Sequence, residues 1–262
     1  NLESGSTFAN YANMNITGAF NNASGLTLEN GTGGTLTFEA GSALTNHGTL
    51  TNASGGRIES YIDDYYFALT DSSNANFVGG TVNLESGSTF ANYANMNNTG
   101  SFSNAAGMTL ENGTGGTLTN ESGSTLENGT GGTLTNDGTL FNEGTVVNDG
   151  TFVNDGEFYS SGTLTNWGTF INDEFGAIDN TYGTMTNHGT LTFASGSTLL
   201  QTNGHATGTL TNASGGRIES YIDDYYFALT DPNDANFVGG MVNTVNLESG
   251  STFANYANMN IT

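Results

Sequence analysis

Two pairs of adjacent aspartates are the residues whose type and spacing could hold a metal ion. They lie in the segment GGRIESYIDDYYFALTD, which occurs at 55–71 and again at 215–231. Carboxylate oxygens are the ligands that calcium prefers, so calcium is the one cofactor that the sequence suggests, although adjacent aspartates alone are a weak motif. The candidate calcium ligands are Asp63, Asp64, Asp223 and Asp224.

The same segment contains the only two arginines of the chain and a cluster of aromatic residues. Tyrosine and arginine are enriched where proteins contact their partners, so the segment is a candidate interaction surface. The alternative is a longer pair of strands in a wider coil, with Arg57 neutralising Asp63 or Asp64. The candidate contact residues are Arg57, Tyr61, Tyr65, Tyr66, Phe67, Arg217, Tyr221, Tyr225, Tyr226 and Phe227.

Catalysis is not expected. Glycoside hydrolysis would use paired carboxylates, but it needs one carboxyl group with a raised pKa at a controlled distance from the other. The acids here occupy turns or stand beside tyrosines, with few basic residues to hold a charged sugar. The three histidines (His47, His188 and His205) are scattered, and no cysteine is present. The sequence therefore predicts a protein that is not an enzyme.

The charge balance excludes two classes of partner. The chain has 25 acidic residues against two arginines and no lysine, which gives a net charge of -23. Nucleic acids and anionic membranes both need a basic surface, so neither is an expected partner. No apolar run is long enough to span a membrane, and no signal peptide is visible. The chain begins within a repeat, so we expect it to be a segment of something longer.

A long repeat organises the whole chain. NLESGSTFANYANMNIT occurs at 1–17 and at 246–262, and a copy with one substitution begins at Asn83. Repeats of this kind form arrays in which each unit packs on its neighbours. We expect one continuous domain over 1–262, made of super-repeats 1–82 and 83–245 and the start of a third at 246–262. An insert rich in hexapeptides covers about 129–210.

The hexapeptides predict the fold. Residues 132–172 read GTLTND, GTLFNE, GTVVND, GTFVND, GEFYSS, GTLTNW, GTFIN. A short strand would direct Thr139 and Phe141 outward and Leu140 inward, and Asn, an acid and Gly would form the turn through positive φ angles. Short strands separated by constant tight turns predict an all-β parallel β-solenoid, for which we expect a right-handed coil. Three hexapeptides would make a coil of about eighteen residues.

Stacking such coils about 4.8 Å apart produces ladders of identical residues. A ladder of asparagines is favourable because each amide can donate to the next. In a coil of eighteen residues, Asp137, Asp155 and Asp173 would stack at one corner, where like charges repel. Either cations or a different coil length would relieve that repulsion.

The GTLTNxGTLxNxGT pattern resembles the repetitive shafts of filamentous-haemagglutinin-like adhesins and autotransporter passengers. The resemblance covers roughly two thirds of the chain and is best at 132–172 and 184–212. It implies a secreted, elongated β-solenoid that projects from a bacterial surface. It transfers no binding residue, and the calcium repeat of RTX proteins is absent.

We therefore predict a structural component of an extracellular surface filament or adhesin shaft that assembles with itself by axial β-stacking or laterally. The alternative is an adhesin module that binds surface glycans or a host surface through the tyrosine- and aspartate-rich segments. An ice-binding solenoid is a minor alternative, because threonine pairs such as Thr163 and Thr165 would face outward. The neighbouring units TLF, TVV and TFV interrupt such an array.

Overall fold

The structure is a computed structural model, and it confirms the all-β parallel solenoid. It describes residues 5–261 except 47, 54–55, 62–64, 68–76, 79–80, 85, 99, 105, 201–207, 222–224, 228–236, 239–244 and 257–258. The described residues contain no helix, and therefore no helix that could span a membrane.

The strands are short, most of them four residues long. In chain order they are β1 (Thr7–Asn10), β2 (Asn13–Ile16), β3 (Ala19–Asn22), β4 (Thr27–Asn30), β5 (Thr35–Phe38), β6 (Ala43–Asn46), β7 (Thr49–Asn52), β8 (Arg57–Ser60), β9 (Tyr65–Phe67), β10 (Phe77–Val78), β11 (Thr81–Leu84), β12 (Thr89–Asn92), β13 (Asn95–Asn98), β14 (Ser101–Asn104), β15 (Thr109–Asn112), β16 (Thr117–Asn120), β17 (Thr125–Asn128), β18 (Thr133–Asn136), β19 (Thr139–Asn142), β20 (Thr145–Asn148), β21 (Thr151–Asn154), β22 (Glu157–Ser160), β23 (Thr163–Asn166), β24 (Thr169–Asn172), β25 (Ala177–Asp179), β26 (Thr184–Asn187), β27 (Thr190–Phe193), β28 (Thr198–Leu200), β29 (Thr209–Asn212), β30 (Arg217–Ser220), β31 (Tyr225–Phe227), β32 (Phe237–Val238), β33 (Val245–Leu247), β34 (Thr252–Asn255) and β35 (Met259–Ile261).

Three strands make one coil, and each strand pairs in parallel with the strands one coil before and after it. One face is an eleven-stranded sheet from β2 to β34, and a second is a ten-stranded sheet from β3 to β28. The third position is taken by a four-stranded sheet up to β11 and by a seven-stranded sheet from β14 to β33. A further three-stranded sheet contains β31, β32 and β35.

The length of a coil varies along the chain. Thr133 pairs with Thr151, so three hexapeptides do make a coil of eighteen residues, as the repeat predicted. Elsewhere the eight-residue units lengthen the coil, and Thr109 lies opposite Thr133. The two longest described steps, from Arg57 to Thr89 and from Arg217 to Thr252, contain the two tyrosine-rich segments. Extra length is placed in the turns, so the strand register is preserved.

The tyrosine-rich segments each add an extra strand to the stack. β9 and β10 both lie between β6 and β13 in one sheet, and they pair with each other in parallel. β31 pairs in the same way with β32 and β35. β9 and β31 belong to the two copies of the segment, whereas β10 and β32 follow them in the chain.

The core is a column of apolar side chains, one from the second position of most strands. Leu134, Leu140 and Val146 are fully buried, while the threonines before them are half-buried on the outer surface. Phe152 and Phe170 stack with their ring centroids 4.4 Å apart. Because a strand alternates its side chains between two faces, the second and fourth residues of each strand face the inside of the coil.

The asparagines differ from their predicted place in the turn. Each is the fourth and last residue of its strand and faces inward; Asn136, Asn148 and Asn172, for example, have no exposed surface. The amide of Asn148 donates to Oδ1 of Asn166 at 2.6 Å and to the carbonyl oxygen of Thr169 at 2.9 Å. The asparagine ladder therefore joins successive coils. The second hydrogen bond connects each corner to the strand that begins after the equivalent corner of the next coil.

The hexapeptide glycines also differ from the prediction. Positive φ angles occur at glycines of the eight-residue units, such as Gly115 with φ of 83°, and not at Gly150. A Cβ atom on Gly150 would lie 2.3 Å from the carbonyl oxygen of Gly132 in the coil below. Glycine is needed there because the stacked corners approach too closely for any side chain.

Candidate functional site

A polar cluster on the outer surface surrounds Arg57, one of the predicted contact residues. Its Nε donates to Glu59 at 2.7 Å, its Nη1 to Glu111 at 3.0 Å and its Nη2 to the hydroxyl oxygen of Tyr93 at 2.7 Å. The Tyr93 hydroxyl donates to Glu111 at 2.6 Å, and the ring of Tyr61 stacks on that of Tyr93 at 4.9 Å. The described partners of Arg57 are thus Glu59, Glu111 and Tyr93, while the aspartates considered from sequence lie outside the described residues.

Small residues make room for this cluster. Arg57 and Glu111 lie two strands apart in the eleven-stranded sheet, and Ala91 on the strand between them is completely buried. A Cβ atom on Gly113 would lie 2.2 Å from the ring of Tyr93, so only glycine allows the ring to lie across that corner. The cluster therefore depends on matched residues from three successive coils.

Arg57 and Glu111 each stabilise the charged form of the other. Burial acts to raise the pKa of Glu111, but hydrogen bonds from Arg57 and Tyr93 outweigh it and hold the pKa below its usual value. Burial and the hydrogen bond to Glu111 raise the pKa of Tyr93 to about 12. Burial lowers the pKa of Arg57, while its two glutamate partners raise it, and the net shift is upward. The cluster is a closed ion-pair network over ordinary pH.

A related cluster surrounds Arg217. Its side chain donates to Glu219 and, at 2.8 Å, to the hydroxyl oxygen of Tyr256, while Tyr221 stacks on Tyr256 at 4.7 Å. The predicted contact residues Arg57, Tyr61, Arg217 and Tyr221 are therefore brought together in pairs with tyrosines that the prediction did not name. Those tyrosines belong to the motif TFANY, which the sequence repeats.

The remaining predicted site residues are less completely described. Asp63, Asp64, Asp223 and Asp224 lie outside the described residues. Tyr65–Phe67 and Tyr225–Phe227 form strands β9 and β31, but their side chains lie outside the described part. Within that part, no group of three or more acidic or histidine side chains could hold a metal ion.

The column of corner aspartates follows from the eighteen-residue coil. The backbone N–H of Asp155 donates to the carbonyl oxygen of Asn136, and that of Asp173 to Asn154, at corresponding corners. Burial, and then the charge of Asp155, raise the pKa of Asp137. The charge of Asp155 thus acts on the pKa of Asp137 in the direction expected from stacking, after the larger effect of burial.

A second cluster, formed mostly by aromatic residues, lies on the ten-stranded sheet. Phe141 and Tyr159 occupy the outward third positions of β19 and β22, and their rings stack 5.1 Å apart. The next strand places Asp179 opposite Tyr159, and Tyr182 follows at the corner. We call the cavity of about 200 Å³ beside them the aromatic groove; it is lined by Phe141, Asn142, Glu143, Tyr159, Ser160, Ser161, Asp179 and Tyr182.

The sequence predicts that Phe141 faces outward, but it does not show the groove. Tyr182 lies in TYGTMTN, where the hexapeptide pattern is disturbed, and only the stacking shows that it returns to the same face. Breaks in the repeat next to outward aromatic residues were the available signal.

Comparisons with known proteins add little to this description. Neither the protein-family models nor the curated proteins gave a match. Among solved structures, the chain is similar to the crystal structure of a TibC-catalysed, hyper-glycosylated fragment of TibA. The identity is 17% and the TM-score 0.30, over 98% of this chain and 92% of that one. A likeness at this level carries no functional argument, so function has to be argued from the residues of this chain.

Proposed function

We propose that this chain is a non-enzymatic shaft segment of an extracellular bacterial surface filament or adhesin. The observation that supports it most is the stacking of parallel strands over one narrow core, which is continuous within the eleven-stranded and ten-stranded sheets. Leu118, Leu140 and Phe158 repeat the same contact coil after coil. Such a stack resists extension because its interstrand hydrogen bonds lie along the long axis. The acidic surface and the absence of cysteine suit an extracellular polymer.

Axial assembly with further copies is the second part of the proposal. Among the described residues, β1 pairs only with β4, and β34 only with β30. Phe8 on β1 is 38% exposed and Leu247 at the end of β33 is 56% exposed, whereas their partners in the adjacent coil, Leu28 and Asn212, are buried. Where a shaft ends in strands of this kind, an open edge with exposed apolar residues would be a template for adding another chain.

Electron microscopy of the purified chain with end and flank variants tests this proposal. We expect the wild type to form filaments one solenoid wide and many chain lengths long. Phe8→Lys with Leu247→Lys should leave single rods, because charge blocks edge pairing. Trp167→Lys, a matched change on the flank, should still form filaments. Wild-type material that stays as single rods at high concentration would refute axial assembly, and compact particles would refute the shaft.

The second candidate function is a binding module for surface glycans or a host surface. The stacked pairs Tyr61–Tyr93 and Tyr221–Tyr256, each fixed by an arginine, favour it because they are rigid and partly exposed. A glycan array probed with the wild type and with Tyr61→Ala plus Tyr221→Ala separates the two functions. Saturable binding that only the wild type shows would support the module; equal signals from both proteins would exclude these tyrosines as contacts.

A further inference from the structure

The aromatic groove combines exposed rings with negative charge. Phe141 and Tyr159 are 38% and 37% exposed, and Tyr182 is 64% exposed. Glu143 and Asp179 line the same cavity, and Glu157 accepts a hydrogen bond of 3.1 Å from the Tyr159 hydroxyl. Aromatic faces carry negative electrostatic potential at their centres, so rings and carboxylates attract the same kind of ligand.

Among the described residues, no positive side chain lines this groove. The chain has only two arginines and no lysine, and the groove lining contains neither an arginine nor a histidine. Both arginines, Arg57 and Arg217, form their described ion pairs with glutamates that do not line the groove. The groove therefore presents uncompensated negative charge beside apolar surface.

The side chains that line the groove favour an organic cation over a metal ion. A calcium ion takes six to eight oxygen ligands, and no group of three or more acidic or histidine side chains in the described part could hold a metal ion. An alkylammonium group needs fewer direct contacts, because it is attracted to ring faces as well as to carboxylates. A second cavity, of about 230 Å³, shares Tyr159 and Asp179 with the groove and is also lined by Ala177 and Leu200, so it is close enough to receive an attached alkyl chain.

We propose that the aromatic groove binds an alkylammonium group, with Tyr159, Tyr182 and Phe141 contacting its alkyl substituents and Asp179 and Glu143 balancing its charge. The group could be carried by a small molecule such as choline or by a lysine side chain of a partner protein. The two sources share this chemistry and differ in the substituents on nitrogen.

Binding is measured by titration calorimetry on the whole chain with choline, with Nα-acetyl-lysine amide, and with 3,3-dimethylbutan-1-ol, the neutral isostere of choline. We expect choline or the lysine derivative to saturate one site per chain and the neutral isostere to bind at least tenfold more weakly. Whichever cation binds more tightly identifies the source. Equal affinity for choline and its isostere would overturn the proposal, as would no saturation by either cation or binding of neutral sugars alone.

Variants locate the site. Tyr159→Leu should weaken binding by about two- to fivefold, since a cation–π contact at a partly exposed ring is worth about that factor. Asp179→Asn should also weaken it, whereas Tyr159→Phe should leave it unchanged because the ring remains. The matched controls Phe175→Leu and Asp173→Asn remove an aromatic and an acidic side chain outside the groove and should bind as the wild type does.

Circular dichroism checks that each variant keeps its β-structure before titration. A Tyr159→Leu variant that folds and binds choline with wild-type affinity would overturn the assignment. Loss of binding in the two control variants would do the same, because it would place the site elsewhere.

Discussion

The substitution Asn148→Ala tests the role of the asparagine ladder. Asn148 accepts a hydrogen bond of 2.6 Å from Asn128 and donates one of 2.6 Å to Asn166. It has no exposed surface, and its two neighbours in the ladder are each 1% exposed, so water cannot replace the lost amide. Alanine would leave one N–H of Asn128 and Oδ1 of Asn166 buried without partners, and the part-buried carbonyl oxygen of Thr169 would lose the hydrogen bond from Asn148.

The cost follows from those two groups. A buried donor or acceptor that loses its partner costs about 1–3 kcal/mol, so two of them lower the free energy of unfolding by about 2–6 kcal/mol. The amide of Asn128 keeps its second hydrogen bond, to the carbonyl oxygen of Thr151. The loss is therefore confined to the groups on either side of residue 148.

Urea denaturation, followed by circular dichroism and by fluorescence, measures this loss. Trp167 is the only tryptophan and directly follows Asn166, so its fluorescence reports on the altered coil even if the array unfolds in steps. The matched control Asn21→Ala removes an asparagine side chain that faces outward and should change stability by less than about 0.5 kcal/mol. Equal, small losses for the two variants would refute the argument that the inward ladder stabilises the solenoid.

Four further predictions concern the same surfaces. Asn148→Asp buries a carboxyl group whose pKa is raised in the folded state, so this variant should be most stable below about pH 4 and lose stability as the pH rises, which denaturation at pH 3 and pH 7 checks. Ser160→Asn should raise the free energy of unfolding by about 1 kcal/mol, because the new amide could donate to Oδ1 of Asn180, which is buried without a described partner. The midpoint of urea denaturation should rise accordingly, and an unchanged midpoint would contradict this. Gly150→Ala should lower the free energy of unfolding by about 1–3 kcal/mol in the same assay, since the corner has no room for a Cβ atom. An unchanged free energy would show that the corner can accommodate the Cβ atom. Tyr93 should titrate with a pKa of about 12 in an ultraviolet difference spectrum, and a value near 10 would show that its hydrogen bond to Glu111 is absent.

The periodic part of the fold could be predicted from the sequence because its cause is local. Leu140 between Thr139 and Phe141 has to face away from both, and constant spacing makes each coil repeat the last. The asparagines were placed wrongly because isolated asparagine favours turns. In the stack, the hydrogen bond from Asn136 to Asn154 outweighs that preference, and it exists only once the coils are assembled.

The polar clusters could be predicted only in part, because they depend on register. Arg57 and Glu111 are separated by 54 residues and by two coils of unequal length. The sequence shows that both residues are present, but not that the wide coil at 57–88 and the shorter one after it bring them together. The aromatic groove is similar, since Tyr182 lines the same cavity as Tyr159 only because of the irregular corner before β26.

The account as a whole depends on coils that stack along the long axis with their strands across it. X-ray fibre diffraction from aligned protein measures this arrangement directly. A strong meridional reflection near 4.8 Å, parallel to the long axis, is the result that the stacked coils predict. A 4.8 Å reflection on the equator, or a pattern without that spacing, would contradict them.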